Sequence, residues 1–117
     1  MSMDKKFMKC SANLPLNEAA KLLIGVGKRN LIVVDHSNLV LGTISASDIL
    51  KRILNNSGNI LMDVVGDVME KKYIFLYKGC NKDEIINKFK LHNIFYLPIV
   101  DEKYKLIDMV FLTDFLD

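Results

Sequence analysis

The stretch that decides the fold is residues 31–52, LIVVDHSNLVLGTISASDILKR. Residues 31–34 are an apolar, largely β-branched run, which predicts a strand that is buried on both faces. Residues 35–38 have the side chains of a turn, and residues 39–44 form a second apolar run that predicts another strand. From Ser45 the pattern becomes helical, so a strand should lead directly into the start of a helix.

Two features of this stretch point to a ligand. Gly42 lies inside the second strand, where a missing side chain usually marks the close approach of another backbone or of a ligand. At the predicted helix start, the Ser45 hydroxyl, the free N–H groups and the helix dipole could bind an anion. Asp48 follows in the same turn, where its carboxylate could accept hydrogen bonds from a ribose diol. A Ser-x-x-acid pattern is also typical of a capping box that needs no ligand, so both interpretations stay open.

The chain repeats itself after a shift of 66 residues, without a gap. The pairs that coincide are Glu18 with Glu84, Leu31 with Leu97, Val34 with Val100, Asp35 with Asp101, and Asp48 with Asp114. An internal repeat predicts two incomplete units that bury one face against each other. We therefore predict an α/β (α+β) fold of two pseudo-symmetric β-α-β-β-α repeats, residues 1–58 and 59–117, each with a short leading strand (residues 7–10 in the first). The last helix of the second repeat is cut short at Asp117, and we expect the chain to be a piece of a longer protein.

Composition excludes several classes of protein. The chain has 117 residues, of which 50% are hydrophobic, and a formal net charge of +2, which argues against disorder and against nucleic acid as a partner. It has no apolar run of the roughly 20 residues that a membrane span needs, and its N-terminus is unlike a signal peptide. Cys10 and Cys80 lack metal or redox spacing, so we expect reduced thiols and a cytoplasmic protein.

No pattern in the sequence indicates catalysis. Ser-His-Asp, Cys-His, phosphate-loop and paired-carboxylate arrangements are all missing, and His36 and His92 are isolated without the spacing of metal ligands. We therefore predict neither catalytic residues nor a metal site. Arg52 lies four residues after Asp48, which favours a surface ion pair between them over a phosphate contact. Residues 61–65 are expected to form a short helical connector.

The motifs resemble those of a tandem pair of CBS domains, also called a Bateman module. Residues 42–48, GTISASD, fit the family pattern of glycine, any residue, an apolar residue, Ser or Thr, two residues and Asp. LIVVD and YLPIVD are similar to the family's second strand, and residues 65–69 are similar to the segment that introduces a second repeat.

The resemblance implies a regulatory module, without a cofactor of its own, that binds AMP, ADP, ATP or S-adenosylmethionine in clefts between the repeats. It also implies a homodimer and an attached or partner enzyme. Modules of this type precede sugar-phosphate nucleotidyltransferase domains, which suggests one such enzyme.

Carried over residue by residue, the family pattern gives Ser45 the phosphate role and Asp48 the ribose role. Thr43 and Ser47 become auxiliary donors. The second copy keeps Asp114 but has Phe111 in place of the hydroxyl and Asp108 in place of the glycine, which disfavours a phosphate. We therefore expect at most one competent site per chain. Asp114 stays a candidate ligand-binding residue, and the alternative is that it simply caps a helix or forms a salt bridge.

The alternative is a ligand-free structural or dimerisation module. In that case an apolar helix face around Leu50, Ile53 and Leu54 would pack against a partner chain. The degenerate second motif favours this alternative.

Overall fold

The computed structural model describes residues 9–25, 30–55 and 61–115, and its contacts divide the chain into two compact units, Met1–Tyr73 and Ile74–Asp117. The first unit contains β1 (Lys9–Ser11), α1 (Leu16–Gly25), β2 (Asn30–Val34), β3 (Val40–Ser45), α2 (Ala46–Asn55) and a 3-10 helix (Val65–Asp67). The second contains β4 (Leu76–Tyr77), α3 (Lys82–His92), β5 (Tyr96–Val100), β6 (Leu106–Phe111) and a 3-10 helix (Leu112–Phe115). The predicted fold class is confirmed; residues 7 and 8 of the leading strand lie outside the described residues.

The first unit is a three-stranded sheet with two helices. Its strand order is β1-β2-β3, where β1 and β2 are parallel and β2 and β3 are antiparallel. The core joins Leu31, Val33 and Ile44 of the sheet to apolar residues of α1 and α2. Ile32, which points to the opposite face of the sheet, is also buried, so β2 is covered on both faces as its apolar run predicts.

The second unit repeats this sheet in the order β4-β5-β6. Leu31 pairs with Ile44 in the first sheet, and Leu97 pairs with Val110 in the second. The irregularity in the first sheet between Val33 and Val34 also recurs 66 residues later. The shift found in the sequence therefore holds for the register of individual strand pairs.

The same aspartate closes the hairpin in both units. Oδ1 of Asp35 accepts hydrogen bonds from the backbone N–H groups of Ser37 and Leu39, at 2.8 and 3.0 Å. Oδ1 of Asp101 accepts from those of Lys103 and Lys105, also at 2.8 and 3.0 Å. These bonds, led by the one from Leu39 or Lys105, lower the pKa of each carboxyl below its ordinary value.

The two turns should make the fold sensitive to acid. A carboxyl whose pKa is lowered by folding stabilises the fold above its ordinary pKa of about 4 and loses that contribution as the pH falls towards the lower folded value. We expect the free energy of unfolding, measured with urea between about pH 7 and pH 3, to fall less in the double variant Asp35→Asn, Asp101→Asn. The amide keeps an acceptor oxygen but does not titrate in this range.

Glu102→Gln is the matched control, because Glu102 is exposed and makes no hydrogen bond within the described residues. An acid dependence that is the same in the double variant and in the wild type would contradict the role of these turns.

Residues 61–73, the connecting segment, pack on the first unit. The Asp63 carbonyl accepts from Leu16 N–H at 2.9 Å, and the N–H groups of Val65 and Gly66 donate to the carbonyls of Leu14 and Ala12 at 2.9 and 2.8 Å. Val65 is fully buried in the core of the first unit. The helix predicted for residues 61–65 is wrong: a turn and extended backbone precede the 3-10 helix, because these backbone groups bond to the first residue of α1 and to the segment before it. The repeat boundary at residue 58 stays a prediction.

Gly42 lies where the connecting segment crosses β3. The backbones of Thr43 and Glu70 exchange two hydrogen bonds, at 3.0 and 2.8 Å. A Cβ on Gly42 would lie 2.5 Å from the Glu70 carbonyl oxygen. The close approach that Gly42 indicates in the sequence is therefore confirmed, and another backbone makes it.

Gly42→Ala should destabilise the first unit by roughly 1–3 kcal/mol, because a backbone carbonyl must move to admit the methyl group. The measurement is urea unfolding followed by circular dichroism. Glu70→Ala is the control: the contact uses only the Glu70 backbone, so its truncation should change the free energy of unfolding much less. Equal losses in the two variants would contradict the backbone contact as the cause.

Candidate functional site

Ser45 and Asp48 form a reciprocal cap at the start of α2. The Asp48 N–H donates to Ser45 Oγ at 3.1 Å. In return, Oδ2 of Asp48 accepts from the Ser45 N–H at 2.9 Å and from the Ser45 hydroxyl at 3.0 Å. This is the capping box that the sequence left open, and it satisfies two backbone donors at the strand-to-helix junction.

The cap leaves one acceptor free. Oδ1 of Asp48 accepts no hydrogen bond from the described residues, and the side chain is half-buried. A carboxylate oxygen is an acceptor only, so its complement is a donor such as a hydroxyl. The cap therefore holds an acceptor in a fixed position at the N-terminus of α2, and a sugar diol fits this chemistry.

Thr43 and Ser47, the predicted auxiliary donors, differ in their exposure to solvent. Thr43 is 7% exposed, and its backbone is paired with Glu70. Ser47 is exposed in the first turn of α2. Thr43 and Ser45 share one face of β3 because they are two residues apart, whereas Ser47 lies on the helix.

The second copy keeps only half of the cap. Oδ2 of Asp114 accepts from the Phe111 N–H at 2.8 Å, which matches the bond from Ser45 N–H to Asp48. Phe111 has no hydroxyl to complete the pair. Asp108, at the position of Gly42, is exposed, and its Oδ1 accepts from the Met109 N–H at 2.8 Å.

Arg52 does not pair with Asp48. Its Nε and Nη2 donate to the two carboxylate oxygens of Asp63, both at 3.1 Å, so the predicted ion pair within α2 is wrong. These hydrogen bonds, together with the charge of Asp63, raise the pKa of the Arg52 guanidinium. The side chains of Arg52 and Asp63 are 32% and 16% exposed, and the bidentate pair ties α2 to the connecting segment.

A cleft of about 380 Å³ runs along one face of α2, from Asp48 in its first turn to Asn55 at its end. Its lining combines residues of α2 and of the connecting segment: Asp48, Lys51, Arg52, Asn55, Asp67 and Val68. The sequence did not predict the place of Lys51 and Asp67 in this cleft, nor the pairing of Arg52 with Asp63. Lys51 lies three residues after Asp48 on α2, so helical spacing could have placed it on the same face. No spacing could reveal Asp63 and Asp67, because their segment meets α2 only through the tertiary fold.

Ser45→Ala should lower the free energy of unfolding by about 1 kcal/mol, the usual effect of removing a serine N-cap. Ser47→Ala is the control two residues on; its hydroxyl makes no hydrogen bond within the described residues, so the change should stay within about 0.5 kcal/mol. Urea unfolding without ligand measures both values. A Ser45 variant as stable as the wild type would contradict the cap.

The remaining predictions concern the cysteines, metal ions and membrane spans. The thiols of Cys10 and Cys80 are free, and burial raises the pKa of Cys10 to about 11, which suits an inert thiol. Over residues 9–25, 30–55 and 61–115, no group of three His, Cys, Asp or Glu residues is arranged to hold a metal ion. None of the helices in these ranges has the length and hydrophobicity of a transmembrane span.

Comparison with known proteins shows to which family the chain belongs. The profile described as "CBS domain" matches residues 1–55 and again residues 65–117, which confirms the tandem arrangement. Homoserine O-acetyltransferase of Methanosphaera stadtmanae is 30% identical over 95 residues, 81% of this chain but 18% of that protein. The chain spans about a fifth of the length of the curated relatives it matches.

Solved structures share the fold. Protein MJ1225 from Methanocaldococcus jannaschii superposes with a TM-score of 0.83 at 23% identity, over 98% of this chain and 46% of that one. The CBS domain pair of protein MJ0100 superposes with a TM-score of 0.73 at 25% identity, over 92% of this chain and 82% of that one. That pair was solved in complex with 5′-methylthioadenosine and S-adenosyl-L-methionine.

Proposed function

The chain belongs to the CBS domain family and carries a tandem pair, a regulatory and non-catalytic module, and on this premise we propose that it senses an adenosine-containing ligand. Asp48 binds the ribose diol through its free Oδ1. Ser45 holds that carboxylate in place, with Thr43 and Ser47 beside it.

The observation that carries this proposal is the fixed acceptor of the α2 cap. A group that folding already orders loses little further entropy when a ligand binds. The complex of the MJ0100 domain pair with two adenosine derivatives supports the same class of ligand. In the second unit, Asp114 has the equivalent backbone bond but neither the hydroxyl nor the glycine, and we assign it a capping role.

The controlled enzyme is a second part of the proposal. Curated relatives have the names homoserine O-acetyltransferase and L-aspartate semialdehyde sulfurtransferase, which supports an enzyme of amino-acid metabolism as the attached or associated partner. The association with a nucleotidyltransferase, the homodimer and the cytoplasmic location stay predictions.

Asp48→Asn should abolish the ligand-dependent rise in melting temperature while the protein stays folded. The amide oxygen can still accept the Ser45 N–H bond, but the NH₂ group cannot accept a ribose hydroxyl. A ligand that binds only the folded state at 100 times its Kd stabilises the wild type by about 2.7 kcal/mol. Thermal unfolding with 5′-methylthioadenosine, S-adenosylmethionine, AMP or ATP measures this shift.

Asp114→Asn is the matched control in the second unit and should keep the full shift. A shift that persists in the Asp48 variant would contradict the proposed site. A wild type that gives no shift with any of the four compounds, and is a dimer by light scattering, would favour the dimerisation module. That alternative is supported by the exposure of Leu50, Ile53 and Leu54, at 56%, 46% and 74%.

A further inference from the structure

We propose that the first unit has a second binding site, at the carboxyl ends of β1 and β2, for a small organic molecule that has an ammonium group on an apolar body. Amino acids and aliphatic amines share this chemistry. The site is separate from the proposed adenosine site and does not rest on it. Three observations carry the proposal: a cavity at this end of the sheet, a fixed carboxylate in its wall, and the lack of the lysines that accompany the equivalent carboxylate in the second unit.

A cavity of about 460 Å³ lies where β1 and β2 end. The two strands are parallel, so their carboxyl ends meet at the same edge of the sheet. A volume of this size is within the range of small-molecule sites. The side chains that concern the argument are those of Ser11, Asn13, Val34, Asp35, His36 and Leu41.

This cavity is remote from the cap of α2. In the register of β2 and β3, Asn30 pairs with Ser45 at one end, and Val34 pairs with Val40 at the other. The four residues from Asn30 to Val34 span roughly 13 Å of extended strand. A ligand in the cavity therefore has its own set of contacts.

Asp35 supplies a carboxylate in a fixed position. Its Oδ1 accepts from the backbone N–H groups of Ser37 and Leu39, and no backbone N–H of the described residues donates to Oδ2. The bond from Leu39 is the main cause that lowers the pKa of this carboxyl, so it is ionised at neutral pH. An ammonium group has three N–H donors and a positive charge, and it is the complement of such an acceptor.

The second unit shows what accompanies this carboxylate elsewhere in the chain. Residues 101–105, DEKYK, repeat the turn of residues 35–39, DHSNL, with the same two backbone bonds. The positive charges of Lys105 and Lys103 act on Asp101. A leucine and a serine occupy these two positions in the first unit, so the chain does not supply the same cations there.

The positive charge that acts on Asp35 comes from His36, and an imidazole is charged only when it is protonated. Lys9, on β1, donates to Oδ1 of Asn38 at 3.2 Å instead. The turn of the first unit therefore has a carboxylate without the permanent cations of its counterpart, and this carboxylate lines a cavity. An external ammonium group would supply the missing charge.

The rest of the lining suits the body of such a ligand. Val34 and Leu41 are apolar and half-buried, which favours an aliphatic chain. Oγ of Ser11 accepts from the Asn13 N–H at 3.0 Å, and its own proton donates to none of the described residues. This hydroxyl and the Asn13 amide are donors for a carboxylate, a group that an amino acid has and an amine lacks.

The test compares three compounds with the same apolar body: L-leucine, 3-methylbutylamine, which lacks the carboxylate, and 4-methylpentanoate, which lacks the ammonium group. Isothermal titration of the full chain gives each Kd. We expect 4-methylpentanoate to bind at least about tenfold more weakly than the best of the other two, because it cannot make the charged hydrogen bond to Asp35. Tighter binding of L-leucine identifies an amino acid as the ligand, and tighter binding of 3-methylbutylamine identifies an amine.

Asp35→Asn should weaken the binding of the best compound at least about tenfold. The amide keeps an acceptor oxygen for the turn but has no charge. Asp101→Asn is the matched control, since it makes the same change in the equivalent turn of the second unit and should leave this Kd unchanged. Circular dichroism checks that both variants are folded.

The proposal is overturned if none of the three compounds binds at millimolar concentration, if 4-methylpentanoate binds as tightly as the others, or if the two variants lose binding equally. The comparison of the three compounds on the wild type decides the matter even if Asp35→Asn does not fold. A wild type that binds L-leucine or the amine but not 5′-methylthioadenosine would support this site while the sensing function fails.

Discussion

The contact on which the first unit depends joins the backbone of Glu70 to β3 at Gly42. The Glu70 carbonyl comes so near that a Cβ on Gly42 would lie 2.5 Å from its oxygen. The Thr43 N–H donates to this carbonyl, and the Glu70 N–H donates to the Thr43 carbonyl. This contact fixes one end of the connecting segment. Towards its other end, Val65 enters the core and Asp63 binds Arg52. The cleft beside α2 exists because the segment is held at both places.

The candidate site uses groups that the fold needs in any case. Ser45 and Asp48 satisfy two backbone donors at the junction of β3 and α2, and one oxygen of Asp48 is left over for a ligand. A side chain held by two partners has few rotamers to lose, so binding would add contacts without ordering the acceptor. Ligand binding is therefore coupled to the stability of the fold, because a ligand on Asp48 favours the folded state in which the cap exists.

Short-range patterns in the sequence predicted the strands and turns, which depend on residues close together in the chain. The apolar runs and the turn residues located β2, β3 and the turn at Asp35, and the 66-residue shift carried these predictions to the second unit, because turn residues and apolar patterns act over a few positions. The partner of Arg52 was not predicted correctly from the sequence. A rule of spacing pointed to Asp48, but that carboxylate is engaged by Ser45, and Asp63 offers two oxygens from a segment eleven residues away. The path of the connecting segment and the lining of the cleft likewise depend on backbone bonds to Ala12 and Leu14, which no periodicity records.

The second copy of the motif shows that the capping role of its aspartate can be distinguished from a ligand-binding role. Asp114 still accepts the backbone N–H of Phe111, at 2.8 Å, although the hydroxyl is lost. The acid is therefore useful to the fold without a ligand, since it satisfies an N–H group at the end of β6 that would otherwise need water. An aspartate at this position alone does not identify a binding site. The argument for the first unit depends on what accompanies Asp48: a hydroxyl that orients the carboxylate, and a glycine that admits the connecting segment and with it the cleft.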